Sequence, residues 1–178
     1  MTVPSNAVVP PRRENIAIGS TAIALRILAL GLGVFFVAMS VNKIAWLTNA
    51  NLLSDRFVQW APAASPDVGW YLDTIALPVA PVLARAIPIL EFCVGLSFVV
   101  GLWVRPAAAI ALFLVLNFHF GTSALYAWEF LRDGTGPPVL AALVALLIGG
   151  RSLPLTIDLA ASQRRGWDGA GGSGEAAG

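Results

Sequence analysis

The sequence predicts an all-α integral membrane protein, a polytopic four-helix bundle with an amphipathic extracytoplasmic cap between helices 1 and 2. Of its 178 residues, 57% are hydrophobic and only 12% are charged, and the mean hydropathy is +0.77. A typical soluble domain is about 25% charged, so this chain has too little polar surface to be solvated by water alone. Four apolar stretches separated by polar segments give the number of spans, because a helix crosses the bilayer in about 20 mostly apolar residues.

The first span is predicted at 23–46 and follows a cytoplasmic N-terminal segment, 1–20. Arg12 and Arg13 precede the apolar stretch, as the basic residues of a signal peptide do. However, the stretch runs beyond the roughly 7–15 residues of a signal-peptide core, and no clear small-residue cleavage site ends it. We therefore expect this span to be retained.

The segment 47–86 is predicted to be an outer loop that carries amphipathic helices. Leu53, Phe57 and Trp60 recur at i, i+4 and i+7, which places them on one face of a helix. At residues 65–67 a serine N-cap, a proline at the first helical position and an acid favoured by the helix dipole indicate a second helix start. We expect both helices to lie flat on the membrane surface and cap the bundle. The alternative, a hairpin standing free in water, exposes the aromatic residues.

The second and third spans are predicted at 87–104 and 106–128. A tight turn at Arg105 and Pro106 joins them, since the residue before a proline avoids the helical region. The two spans therefore form a helical hairpin.

The fourth span, 136–150, is short enough to be a re-entrant or buried helix instead. With the other three it makes a transmembrane domain over 21–158. The remaining residues, 159–178, are rich in glycine and alanine and are expected to form a disordered cytoplasmic tail.

Basic residues set the predicted orientation, because cytoplasmic loops of membrane proteins are enriched in lysine and arginine. With four spans, both termini lie on one side. Seven arginines then fall together on that side: Arg12, Arg13, Arg26, Arg105, Arg151, Arg164 and Arg165. Four basic residues fall on the other: Lys43, Arg56, Arg85 and Arg132. We therefore expect a multi-pass protein of the plasma membrane with both termini in the cytoplasm, and we assign Arg26, Arg105 and Arg151 to the cytoplasmic face.

Four polar residues inside the apolar stretches form the candidate site: Lys43, Glu91, Asn117 and His119. Ionisable groups are costly within a bilayer and mark partners, proton paths or bound ligands. At 1.5 Å per residue, Glu91 lies about 5 Å and His119 about 13 Å below the outer ends of their spans. The four therefore fall in one layer beneath the cap, although Asn117 and His119 face different sides of their helix. Trp46 and Trp128 are expected beside this layer, where either ring can stack on a ligand.

Simpler structural interpretations exist for the same residues. Lys43 stands at a helix end, where long cationic side chains extend toward the interface. Glu91 is equally explained as the buried partner of Lys43, and His119 as a hydrogen-bonding group between helices. Gly95 and Gly101 are assigned to helix packing, because small residues let backbones approach closely.

Other features of the sequence exclude several kinds of site. A single cysteine, Cys93, cannot form an intramolecular disulfide, and a single histidine cannot supply both axial ligands of a b-type haem. No spacing of carboxylates indicates a metal site. The net charge is +1, and no basic run alternates with aromatic residues, so nucleic acid is not an expected partner.

The chain also resembles the DoxX family of small four-helix membrane proteins, from about Leu25 to Asp158. The resemblance rests on Leu25-Arg26 early in the first span, Lys43 at its end, Leu90-Glu91-Phe92 with Gly95, Gly101 and Arg105, and Gly149-Gly150-Arg151 followed by Asp158. Two departures are visible. Val41 and Asn42 precede Lys43, where a glycine is usual, and the segment 47–87 is longer than in the shortest members.

The resemblance implies a membrane protein linked to redox chemistry. The family takes its name from a subunit of an archaeal thiosulfate:quinone oxidoreductase, and related proteins are linked to oxidative stress and thiol metabolism. The fold is also similar to that of quinone-coupled disulfide-forming enzymes. Those enzymes need a cysteine pair, so Cys93 alone excludes thiol–disulfide exchange within this chain.

Three functional hypotheses follow, none of which assigns a catalytic residue. In the first, the protein is a quinone-associated subunit of a membrane redox system: His119 donates to a quinone carbonyl, and Glu91 exchanges protons with the outer aqueous side. A protein partner then supplies electrons, because no flavin, haem or iron–sulfur motif is present. In the second, it is a non-catalytic scaffold or stabilising subunit in which Glu91 pairs with Lys43 or Arg85. The third, a small-molecule transporter, requires a homo-oligomer because the chain is too short for inverted repeats.

Overall fold

The computed structural model describes residues 12–132, 134–150 and 153. Within these residues all regular structure is helical, which confirms the predicted all-α class. In chain order the elements are α1 (Arg12–Asn42), a 3₁₀ turn (Ile44–Leu47), α2 (Asn51–Trp60), a 3₁₀ turn (Ala61–Ala63), α3 (Pro66–Tyr71), a π-helical turn (Leu72–Ala76), α4 (Leu77–Val100), α5 (Val104–Gly121), two 3₁₀ turns (Ala124–Tyr126 and Trp128–Arg132) and α6 (Pro137–Gly149). The predicted tail at 159–178 lies outside the described residues.

Three helical stretches are long and apolar enough to cross a membrane: Ser20–Asn42, Pro66–Val100 and Val104–Gly121, with 23, 35 and 18 residues. Large apolar side chains cover their outer surfaces, and Val34 and Phe113 are 66% and 67% exposed. Lipid is the solvent that such surfaces require, so the protein is a multi-pass membrane protein. The fourth predicted span corresponds to α6, whose 13 residues rise only about 20 Å, less than the roughly 30 Å of the hydrocarbon core.

The first helix ends before the predicted limit at residue 46. Its last turn tightens into i→i−3 hydrogen bonds: the amide of Lys43 donates to Ser40 O at 3.0 Å, and that of Trp46 donates to Lys43 O at 2.9 Å. The chain then turns toward α2, and Trp46 lies in the 3₁₀ turn. At the other end, α1 begins at Arg12 and so includes part of the predicted N-terminal segment, 1–20.

The second span is longer than the predicted 87–104 and begins inside the predicted outer loop, 47–86. Pro81 and Pro88 both lie within α4. Neighbouring helices inside a membrane can satisfy the carbonyl groups that a proline leaves without an amide donor. The predicted helix start at residues 65–67 does begin α3. A π-helical turn then joins α3 to α4, so one continuous helix leads from the cap into the bundle.

The turn between the second and third spans lies at Gly101–Trp103, earlier than the predicted turn at Arg105 and Pro106. Gly101 has φ 75° and its amide donates to Ser97 O at 2.8 Å, which is the left-handed ending that favours glycine. Pro106 instead lies in the first turn of α5, where a missing amide hydrogen costs no helix bond. Gly101, which we assigned to helix packing, therefore ends α4.

The third helix also ends before the predicted limit at residue 128. The Thr122 hydroxyl donates to Phe118 O and His119 O at 3.1 and 3.2 Å, so the side chain competes for the last carbonyls of α5. Ser123 follows with φ 58° and turns the chain away. As a result Trp128 begins a 3₁₀ turn instead of ending a transmembrane helix.

The four longest apolar helices pack in the cyclic order α1, α4, α5, α6, so that each contacts two neighbours. The closest approach is between α1 and α4 at Gly33 and Gly95. A Cβ atom added to Gly95 would lie 2.8 Å from Gly33 O and 2.9 Å from the amide nitrogen of Val37. Backbone contact of this kind is how small residues hold membrane helices together.

Two hydrophobic cores organise the molecule. The bundle core lies among α1, α4, α5 and α6 and includes Phe36, Phe98 and Leu143. The cap core lies where α2 and α3 pack on the π-helical turn and the start of α4, and includes Leu53, Phe57 and Leu72. We call the end of the bundle beneath α2 and α3 the cap end, and the end with the Gly101–Trp103 turn the turn end.

Candidate functional site

An ion pair joins α1 to α4 at the cap end. Lys43 Nζ lies 2.7 and 2.9 Å from the two carboxylate oxygens of Glu91, and the two side chains are only 12% and 10% exposed. The ammonium group also lies 3.5 Å from Met39 O and 5.9 Å from the centre of the Trp46 ring, within the range of a cation–π contact. Ionised groups in a low-dielectric interior need such a counter-charge.

A second polar pair joins the cap to α5. Asn117 Nδ2 donates to the Tyr71 hydroxyl at 2.8 Å, and the same hydroxyl lies 3.1 Å from Asn117 Oδ1. The Tyr71 ring packs edge-on against Phe120 at 5.3 Å. The sequence does not predict this bond, because 46 residues separate the partners and no local pattern links them.

His119 is almost fully buried, with 1% of its surface exposed. Its Nε2 lies 3.3 Å from Thr135 O, just before α6. The ring contacts Phe118 and Phe130 edge-on at 5.8 and 5.2 Å. This environment ties the end of α5 to the segment that leads into α6.

A cavity of about 120 Å³ lies between the bundle core and the cap core, and the polar residues converge on it. Its polar lining comes from the residue after α1, from α4, α5 and α3, and from the segment before α6: Lys43, Glu91, Asn117, His119, Tyr71 and Thr135. Its apolar lining includes Phe35, Phe36, Phe57, Trp46 and Trp60. An apolar cavity of about 150 Å³ holds one benzene molecule, so this cavity of about 120 Å³ is close to the size that one six-membered ring requires.

The structure brings together five of the six candidate ligand-binding residues. The cavity is lined by Lys43, Trp46, Glu91, Asn117 and His119. Asn117 is hydrogen-bonded to Tyr71 and His119 lies next to Thr135 O, yet both side chains line the same cavity. Trp128 is 70% exposed and is absent from the described lining, because its helix ends at Gly121. Glu91 pairs with Lys43, whereas Arg85, the other partner considered for Glu91, donates to Pro81 O within its own helix.

Two of the arginines assigned to the cytoplasmic face donate hydrogen bonds to the last carbonyl groups of neighbouring helices. Arg26 donates from Nη1 to Phe98 O at 2.9 Å and from Nη2 to Val99 O at 2.6 Å, at the last turn of α4. Arg105 Nε donates to Leu147 O at 2.7 Å, at the last turn of α6. Basic groups are favoured at these positions, where carbonyls lack helical partners and the helix dipole is negative. Arg151 lies outside the described residues.

Replacing Arg26 by alanine is expected to lower the free energy of unfolding by about 1.5–3 kcal/mol, the scale of a hydrogen bond made by a charged group. Unfolding in detergent, followed by tryptophan fluorescence, measures the change. Arg85→Ala is the matched control, because Arg85 is exposed and bonds only within α4. Equal effects of the two substitutions would contradict a specific role for the Arg26 cap.

Within the described residues, no group of three or more His, Cys, Asp or Glu side chains is arranged to hold a metal ion. Cys93 lies exposed on α4. The side chains gathered at the cavity are hydrogen-bond donors and acceptors, two of which form the ion pair.

Comparison with known proteins identifies the family. No curated protein and no solved structure matches the chain. The sequence model described as DoxX matches residues 23–123, a region that contains the ion pair, the Tyr71–Asn117 pair and His119. Because the match covers more than half of the 178 residues, the protein belongs to the DoxX family.

Proposed function

We propose that the protein is a quinone-associated subunit of a membrane redox system, and that the quinone head group binds in the cavity at the cap end. One observation carries the proposal: polar side chains from three spans and the cap converge on an apolar, ring-sized cavity inside a lipid-exposed bundle. Small-molecule sites commonly combine an apolar wall with a few placed polar groups.

The residues of the cavity provide what a quinone head group needs. A bound quinone accepts electrons and protons. Lys43, Tyr71 and Asn117 carry donors suited to its carbonyl oxygens, and the Trp46 ring offers an apolar face to the ring. Glu91 holds the ammonium group of Lys43 in place and exchanges protons with the aqueous side beyond the cap. His119 positions the end of α5 and offers a further hydrogen-bonding group.

The orientation follows from the distribution of basic residues. Arg26 and Arg105 both lie at the turn end, and cytoplasmic faces are enriched in such residues. We therefore place the turn end and both termini in the cytoplasm and the cap on the opposite side, so that a four-helix transmembrane bundle carries an extracytoplasmic cap. We assign the supply of electrons to a protein partner, because one histidine cannot provide both axial ligands of a bis-histidine haem and one cysteine cannot hold an iron–sulfur cluster.

Quinone binding tests the proposal. With the protein in nanodiscs, Glu91→Gln and His119→Ala are each expected to weaken binding of a ubiquinone analogue about tenfold, which is about the contribution of one charge-assisted hydrogen bond. Asn42→Ala is the control, because Asn42 is exposed at the end of α1. Unchanged binding in both cavity variants would refute the proposed site.

A second candidate function, a non-catalytic scaffold or stabilising subunit, has one observation in its favour. Two polar pairs at the cap end each join different elements: Lys43 and Glu91 join the end of α1 to α4, and Tyr71 and Asn117 join α3 to α5. The same experiment separates the two functions. A scaffold loses thermal stability on Glu91→Gln, and no quinone shifts its melting temperature.

A further inference from the structure

The cavity at the cap end is small, and its size limits what can bind there. Its volume is about 120 Å³, and an apolar cavity of about 150 Å³ holds one benzene molecule. A group with one six-membered ring therefore occupies all of the available space. A second ring fused to the first could enter only if a wall of the cavity moved.

Two of the walls belong to the hydrophobic cores and resist such movement. Phe36 lines the cavity from the bundle core and is 2% exposed, and its ring packs edge-on against Phe98 at 6.1 Å. Leu53 and Phe57 line the cavity from the cap core and are 2% and 7% exposed. Protein interiors are close-packed, so displacing any of these side chains disturbs the core to which it belongs.

Trp60 forms a third wall at the end of α2, where the cap meets α5. Its ring packs against Phe57 at 5.7 Å and edge-on against Phe118 at 5.5 Å. A Cβ atom on Gly121 would lie 3.6 Å from Trp60 Cζ3, so the indole also contacts the end of α5. These contacts hold the ring in place, although Trp60 itself is only half-buried.

The polar residues determine which edges of a bound ring face these walls. Hydrogen-bonding groups come in two pairs from different elements, Lys43 with Glu91 and Tyr71 with Asn117. A para-quinone carries one carbonyl at each end of its ring. When each carbonyl oxygen meets one pair, the two edges without carbonyls face the apolar walls. A fused second ring extends from one of those edges and meets the aromatic side chains there.

We infer that the cavity selects quinones with a single ring over quinones with a fused second ring, and that Trp60 determines this selectivity. The inference rests on the proposed function and adds the class of quinone and the residue that limits its size. Among the apolar walls, Trp60 is the large side chain that can be shortened without emptying a core, because it lies at the edge of the cap core while Phe57 stays in place.

A pair of tailless probes tests the inference: a methyl-substituted para-benzoquinone and the methyl-substituted para-naphthoquinone that differs from it by the fused ring alone. Binding is measured by equilibrium dialysis against nanodiscs, and empty nanodiscs correct for partitioning into lipid. The parent protein carries Cys93→Ala, because quinones add to thiols and Cys93 is exposed. We expect the one-ring probe to bind roughly ten- to hundredfold more tightly, the scale of the penalty for overpacking an interior.

Trp60→Leu shortens the wall and is expected to abolish this preference through tighter binding of the two-ring probe. Trp70→Leu is the matched control, because Trp70 lies in the cap, is 62% exposed and does not appear in the cavity lining that the structure describes. We expect the control to keep the preference of the parent protein. Since the expected result is a gain of binding, a misfolded variant cannot imitate it.

The comparison in the parent protein decides the selectivity even if no variant folds. Equal affinities, or a preference for the two-ring probe, would overturn the selectivity while the quinone site stands. A preference that persists in folded Trp60→Leu would overturn the role of Trp60. Failure of both probes to bind the parent protein would refute the proposed function, and the selectivity with it.

Discussion

Lys43→Met is expected to lower the free energy of unfolding by about 3–5 kcal/mol, the cost of removing one partner of a buried ion pair. The substitution leaves the Glu91 carboxylate, which is 10% exposed, without its counter-charge. Methionine keeps most of the volume of the lysine stem, so the change reports on charge more than on packing. Unfolding in mixed detergent and SDS micelles, followed by tryptophan fluorescence, measures it.

A double variant separates the ion pair from its two residues. Lys43→Met combined with Glu91→Leu removes both charges, and apolar replacement of a buried pair is often neutral or stabilising. We expect the double variant to recover most of the stability that the single one loses. If the double variant loses as much free energy of unfolding as the two single variants lose together, the two side chains do not act as a pair.

Gly95→Leu is expected to destabilise the protein by about 3 kcal/mol, the upper range for overpacking of a close interface. The new side chain would begin 2.8 Å from Gly33 O and 2.9 Å from the amide nitrogen of Val37. Both are backbone atoms and cannot rotate aside, so α1 and α4 must separate. Because α1 and α4 also carry Lys43 and Glu91, the ion pair is expected to lengthen as well.

Gly31→Leu is the matched control for this prediction. A Cβ atom on Gly31 meets nothing within 4 Å, and leucine forms helices better than glycine. We therefore expect Gly31→Leu to leave stability unchanged or slightly raised. Similar losses in the two variants would show that the close approach of α1 and α4 does not determine stability.

The sequence was sufficient to predict the class of fold and the layer of polar residues. Ionisable side chains inside apolar spans need partners, and the helical rise places Lys43 and Glu91 near the same level. The ion pair between Lys43 and Glu91 is therefore predictable from the sequence. The start of α3 was also predictable, because a serine, a proline and an aspartate at residues 65–67 favour the first turn of a helix.

Other features depend on contacts that no local pattern encodes. The Tyr71–Asn117 pair requires the cap to fold back over α5, and the Arg26 cap requires the end of α4 to lie beside α1. The predicted position of Trp128 was wrong because the sequence stays apolar past Gly121. The helix nevertheless ends there, where the Thr122 hydroxyl bonds to its last carbonyls. The continuity of α3 with α4 was missed because prolines in water end helices more often than they do inside a membrane bundle.

The two arginine caps have a consequence for the order in which the chain is synthesised. Arg26 closes the end of α4 from 72 residues upstream, and Arg105 closes the end of α6 from 42 residues upstream. In both cases the ribosome makes the donor before the carbonyls that accept from it. When α4 and α6 are synthesised, the guanidinium groups that donate to their last carbonyls have already been translated. During co-translational insertion these carbonyls can therefore form their hydrogen bonds without any later segment of the chain.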